Sequence, residues 1–154
     1  MSSKTIVVAM SRTSSDDATI EHAVSLTTPS DRILFVAAVN AKDAANAEQQ
    51  SRLAAAFAHT AQLCARRNRQ CEMRRVLFNG SAATSARSER IDVADALCIA
   101  AQMQDASTLV LGFRGTGVAS RTIFGSVSDH CSRTCPVSVA VVKSRAAPAP
   151  APSS

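Results

Sequence analysis

Gly112, Gly115, Gly125 and Ser126 have the residue types and spacing to grip a phosphate. Gly112-Phe113-Arg114-Gly115 is followed by nine residues and then Gly125-Ser126. Ahead of them, Ser107-Thr108-Leu109-Val110-Leu111 is a short apolar run bounded by polar residues. It reads as a buried strand that Gly112 ends. Behind them, Ser126-Val127-Ser128-Asp129 has a hydroxyl at its start and an acid three residues on, the pattern of a capping box that opens a helix. The glycines thus bracket a loop that runs from a strand end to a helix N-terminus. The first N–H groups of a helix lack internal partners, and its dipole favours an anion there. Glycine lets the main chain approach a ligand without a Cβ clash. The loop is not a Walker loop, because no Gly-Lys-Ser/Thr follows. Its glycine spacing also differs from the dinucleotide fingerprint.

The elements that must position this loop alternate along the chain. Ile6–Met10 reads as a strand. Ser14 or Ser15 caps a helix through Leu26, with Ile20, Ala23, Val24 and Thr27 on one face. Ile33–Val39 is apolar throughout, as expected of a strand covered on both faces. A long alanine-rich helix runs from Asp43 to Arg67, with Leu53, Phe57, Thr60 and Cys64 in register. Glu72–Phe78 is a third strand, and Ile91–Met103 a helix showing Val93, Leu97 and Ala100 on one side. Leu109–Leu111, the helix Ser126–Thr134 and the strand Val137–Val142 complete the pattern. Strands separated by helices demand right-handed crossovers and a mostly parallel sheet. Periodicity does not give the strand order.

Two segments fall outside the alternation. Asn79–Arg90, rich in Ser, Ala and Arg, is longer than an ordinary strand-to-helix connection and reads as a lid or a mobile insertion. Residues 144–154, ending in alternating Pro and Ala, read as a disordered tail.

Composition narrows the function classes. The chain has 154 residues, enough for one domain with a sizeable core. Trp and Tyr are absent, so the core is built from Ala, Val, Leu, Ile and a few Phe. The net charge of +5 permits anion binding. Arg66, Arg67, Arg69, Arg74 and Arg75 gather around a helix end, where cations are favoured. No aromatic residues interleave with them, which argues against nucleic acid. No apolar run approaches a membrane span, and the first strand leaves no room for a signal peptide. The five cysteines are Cys64, Cys71, Cys98, Cys131 and Cys135. Their spacing does not suit zinc, and they read as reduced, mostly buried thiols of a cytosolic protein.

Gly112, Gly115, Gly125 and Ser126 match without a gap the ATP-binding signature of the universal stress protein family: Gly, two residues, Gly, nine residues, Gly, then Ser or Thr. Ile6–Met10 resembles that family's first strand, and Pro136–Val142 its last, which typically begins with Pro-Val. The resemblance spans about residues 4–143 and is most specific in the C-terminal half. It implies an α/β fold: a single Rossmann-like domain of the adenine nucleotide alpha-hydrolase type over residues 1–143. Its five-stranded parallel sheet would have the order 3-2-1-4-5, with helices on both faces and a switch point between strands 1 and 4. Ligands of open α/β sheets bind at the carboxyl ends of strands there.

The resemblance also implies ATP, with Mg2+ or Mn2+, as ligand. Ala9, Met10 and Ser11 would meet the nucleoside, and Ala38 would form an adenine wall. Leu111, Gly112, Arg114 and Gly115 would approach ribose and phosphates, and Gly125, Ser126, Val127 and Ser128 would donate to the triphosphate. Ser11 departs from the family, which usually carries Asp there. Serine offers fewer hydrogen bonds than a carboxylate, so weaker binding or looser base selectivity is expected. Arg121 reads as an exposed loop arginine and Asp129 as the reciprocal helix cap. His22 and His59 show no acid or nucleophile partner in the sequence, His130 on the last helix reads as a packed or solvated histidine, and no nucleophile elbow surrounds Ser11, Ser14 or Ser15. The expectation is a cytoplasmic, ATP-binding stress-response regulator with no catalytic residue. It would form a homodimer through the last strand, at Val137, Val139 and Val141. Two alternatives stand beside it: an interaction module of the same fold without nucleotide, and a slow ATP hydrolase.

Overall fold

The computed structural model describes residues 3–10, 17–80, 86–114 and 126–144. Its elements are β1 (Thr5–Met10), α1 (Asp17–Ser25), β2 (Arg32–Asn40), α2 (Ala47–Arg66), β3 (Cys71–Phe78), α3 (Ala86–Met103), β4 (Thr108–Arg114), α4 (Ser126–Thr134) and β5 (Ser138–Ser144). The five strands form one sheet in the order β3-β2-β1-β4-β5, every neighbouring pair parallel. Two apolar layers flank it. On one face Val7, Leu34, Val36, Leu109 and Leu111 pack with Ala94, Leu97 and Ala101 of α3 and Cys131 of α4. On the other, Ile6, Val8, Ile33, Phe35 and Val110 pack with Ile20, Ala23 and Val24 of α1 and Cys64 of α2. β2 lies inside the sheet, between β3 and β1, with both faces covered, which is why Ile33–Val39 is apolar without alternation.

Several boundaries differ from the sequence reading. β4 does not stop at Gly112 but continues to Arg114, because β5 pairs along it: Gly112 with Val142, Phe113 with Lys143, Arg114 with Ser144. α2 starts later than Asp43. A 3-10 turn over Ala41–Asp43 intervenes, and Asn46 caps the helix by accepting from the Gln49 N–H at 3.0 Å. α3 begins at Ala86 rather than Ile91, so the last part of the expected Asn79–Arg90 insertion is helix, consistent with helix formers such as Ala86, Arg87 and Glu89. Its fully buried stripe is Ala94, Leu97 and Ala101, with Val93 and Ala100 beside it.

α2 and α3 end alike. Asn68 (φ 56°) and Asp105 (φ 54°) sit in the left-handed region just past the helices. The Arg69 N–H returns to the Cys64 carbonyl at 2.9 Å, and the Ala106 N–H to the Ala101 carbonyl at 3.0 Å. This Schellman geometry satisfies the last carbonyls and turns the chain straight into the next strand.

The cysteines depart from the expectation of reduced thiols. Cys64 is bonded to Cys71, and Cys98 to Cys135. The turn after α2 brings the first pair of Cα atoms to 6.2 Å, and α3–α4 packing brings the second pair to 5.6 Å, both within bonding range. Cys131 stays free and buried.

Candidate functional site

The parallel ladder between β1 and β4 is short. It joins Ile6 to Thr108, Val7 to Leu109 and Val8 to Val110. β1 stays paired with β2 as far as Met10 and Ala37, and β4 stays paired with β5 as far as Arg114 and Ser144. Beyond Val8 and Val110, each of the two strands therefore follows its outer neighbour. The crevice between their carboxyl ends is the switch point of the sheet, where open α/β folds bind ligands.

The strand alternation sorts the expected site residues between the two faces. Ala9, Ala38, Leu111 and Val127 all join the layer formed with α3 and α4. Ala38 and Leu111 are almost fully covered, at 4% and 3% exposure, while Ala9 and Val127 are half-buried. Met10 points the other way and packs with Ala37, Val39 and Leu53. Gly112 is exposed at the rim. α4 includes Ser126 in its first turn, and Ser128 is buried at 3% exposure. For Arg114 and Ser126 only the backbone placement in β4 and α4 is described. Ser11, Gly115, Gly125, Ser14, Ser15 and Arg121 lie outside the described residues, as does the tail from 145 to 154.

Asp129 pairs with Arg133 at 3.3 Å, one turn along α4. Two histidines have acid partners that the sequence did not reveal. His130 Nε2 lies 2.9 Å from Asp95 Oδ1, joining α4 to α3. His59 Nε2 lies 2.9 Å from Asp17 Oδ1, joining α2 to α1. Each partner sits on a different element, so only the packing of helices reveals it. Both pairs serve as links between neighbouring helices.

Of the clustered arginines, Arg67 and Arg69 are engaged just past the end of α2, while Arg74 and Arg75 lie in β3. Arg67 pairs with Glu21 at 2.8 Å, and Arg69 donates to the Thr27 carbonyl at 3.1 Å. Away from the switch point, a groove of ≈ 570 Å³ lies between β3 and α3, with Leu77, Ile99 and Met103 exposed along it. No helix among the described residues is long and apolar enough to cross a membrane.

Comparison with known proteins places this architecture. No curated protein sequence matches the chain. Among solved structures, a universal stress protein from Archaeoglobus fulgidus is similar with a TM-score of 0.68 and 17% identity, covering 91% of this chain and 93% of that one. The A. fulgidus protein in complex with dAMP is similar with a TM-score of 0.66 and 16% identity, covering 93% and 100%. A universal stress protein in complex with cAMP has a TM-score of 0.62 and 19% identity, covering 93% and 98%. The profile of the Universal stress protein family matches residues 2–143, nearly the whole of the folded domain. With the same sheet order, the same helices on its two faces and that match along its length, the chain belongs to the universal stress protein family.

Proposed function

We propose that the chain binds an adenine nucleotide, ATP, in the crevice between the carboxyl ends of β1 and β4, and acts as a binding regulator in a stress response. The observation that carries this reading is the parting of β1 from β4 beyond Val8 and Val110, with α4 beginning at Ser126 after β4. Ala9, half-buried at the carboxyl end of β1 and backed by the buried Ala38 and Leu111, offers apolar surface to a base, and the first N–H groups of α4 suit phosphate oxygens. The complexes of related structures with dAMP and cAMP support an adenine nucleotide as the class of ligand. The Gly112–Ser126 spacing supports the triphosphate.

Among the described residues no group of three or more His, Cys, Asp or Glu side chains could hold a metal ion. Mg2+ or Mn2+ would therefore enter on the phosphate oxygens. The reading assigns no catalytic residue and a cytoplasmic location. It also includes a homodimer through β5.

Titration calorimetry with ATP tests it. Wild-type protein gives a saturable heat. Gly115→Val abolishes it by blocking close backbone approach, while the unfolding temperature stays unchanged. No heat at millimolar ATP, and no nucleotide released when the purified protein is denatured, would overturn the reading.

A further inference from the structure

α4 carries few apolar residues of its own. Within Ser126–Thr134 the apolar residues are Val127 and Cys131; the others are Ser, Asp, His, Arg and Thr. A helix of nine residues is unstable by itself and depends on tertiary contacts. Beside the packing of Val127, the links that tie this one to α3 include three among the described residues. Cys131 is fully buried and donates weakly from Sγ to the Ala94 carbonyl at 3.6 Å. His130 bonds to Asp95. The third link is covalent: Cys135, one residue past α4, is bonded to Cys98 of α3. The α4 end of this bond is the less buried one: Cys135 is half-buried, packed at the border of the α3–α4 layer, while Cys98 is 7% exposed.

We propose that the Cys98–Cys135 bond is a reversible redox clasp that holds α4 against α3 and, through α4, sets the grip on the nucleotide phosphates. The first half stands on the packing just described; the second rests on the nucleotide reading above. The co-reactant is a small monothiol and its disulfide, of the glutathione class. A thiolate RS⁻ attacks the Cys135 sulfur, at the less buried end of the bond. The Cys98–Cys135 bond breaks, Cys98 leaves as a thiolate and takes a proton from solvent, and RS–SCys135 forms. A second RS⁻ attacks the RS sulfur, giving RSSR and a Cys135 thiolate, which is protonated in turn. Two RSH are oxidised to RSSR and one protein disulfide is reduced to two thiols. The reverse sequence closes the clasp. Such exchange suits a compartment whose thiol pool is mostly reduced.

The geometry keeps the third cysteine of this group out of the exchange. Cys131 lies one turn before Cys135, whose N–H donates to the Cys131 carbonyl at 2.9 Å. Burial, reinforced by the nearby Asp95 charge, raises the Cys131 thiol to about 11, so at neutral pH it stays protonated and a poor nucleophile. The Cys64–Cys71 bond spans only the turn between α2 and β3 and does not touch α4.

The test combines three readouts on the full chain, in oxidised glutathione and in reduced glutathione. Alkylation with mass analysis of denatured protein reports whether Cys98 and Cys135 are bonded. Amide hydrogen exchange over residues 127–134 reports the mobility of α4. Calorimetry with ATP reports affinity. Opening the clasp is expected to speed α4 exchange by about tenfold or more and to weaken ATP by about tenfold. Cys98→Ala should show the reduced-form exchange in both buffers, and Cys64→Ala/Cys71→Ala should keep the wild-type response. Cys98 and Cys135 alkylated in both buffers, or α4 exchange unchanged when they are reduced, would overturn the clasp. Changed exchange with equal ATP affinity would overturn its coupling to the nucleotide. Changed exchange with no ATP binding in either buffer would overturn the nucleotide reading and leave the clasp standing.

Discussion

Cys131 and Gly80 show how single residues carry consequences that their types alone do not announce. Cys131 is fully buried against Ala94, and its thiol is raised from the ordinary 9.0 to about 11. The fold thus holds the neutral thiol better than the unfolded chain does. That contribution is complete below pH 9.0 and is lost as pH rises towards about 11. Denaturant unfolding across this window should show a loss on the order of 2 kcal/mol in wild type that Cys131→Ala lacks. Parallel curves for the two proteins would contradict it. Gly80 lies against the buried Asn40, and a Cβ added there would meet Asn40 Nδ2 at 2.6 Å. Asn40 cannot swing away cheaply, because its Oδ1 accepts from the Lys42 N–H at 3.2 Å and caps the 3-10 turn. Removing a glycine gains roughly 0.4–1 kcal/mol through the unfolded chain. Overpacking costs roughly 1–3 kcal/mol and should win. Gly80→Ala is therefore expected to lower the unfolding midpoint, and a rise would show that Asn40 yields.

At the scale of elements, helix ends decide where strands begin. Asn68 and Asp105 occupy the same left-handed position after α2 and α3, and both are non-glycine. Asparagine tolerates that conformation well; aspartate does so less readily. A left-handed non-glycine residue is strained by roughly 1–2 kcal/mol, whereas glycine there costs roughly 0.5–1 kcal/mol in chain entropy. Asp105→Gly should therefore stabilise the domain by about 0.5–1 kcal/mol, read as a higher thermal midpoint. A lower midpoint would mean that the Asp105 side chain supplies something beyond its backbone conformation. The two disulfides differ at this scale too. One closes a separation of 7 residues within a turn that the backbone already forms; the other closes 37 residues between two helices. The longer closure restricts the unfolded chain more.

At the scale of the whole molecule, the order β3-β2-β1-β4-β5 leaves β5 at an edge. Its Val141 and Val142 are half-buried, and the strand from Ser138 to Val142 carries neither proline nor charge. An apolar edge of this kind favours pairing with a second copy, and a two-fold antiparallel pairing removes both edges. Val137 and Val139 also pack onto the α3–α4 layer, so a charge at Val139 disturbs the monomer as well. Val141→Lys is the cleaner probe. Sedimentation should show dimeric wild type at tens of micromolar and a monomeric variant; a monomeric wild type, or a variant that still dimerises, would count against β5 as the interface.

The alternation of strands and helices and the burial of β2 on both faces were legible in the residues, because each rests on local periodicity within one stretch of chain. Ile20, Ala23 and Val24 are buried as their spacing requires, and α4 runs from Ser126 to Thr134 as read. Strand order came from resemblance, since a crossover leaves no periodic trace. The continuation of β4 past Gly112 depended on its pairing with β5, a partner about thirty residues away in the chain. The His130–Asp95 and His59–Asp17 links and the Cys98–Cys135 bond join residues 35, 42 and 37 apart. No local pattern encodes such pairs. Only the packing of helix on helix brought them within bonding distance; of the five cysteines it joined Cys98 to Cys135 and shielded Cys131, while the local turn after α2 joined Cys64 to Cys71.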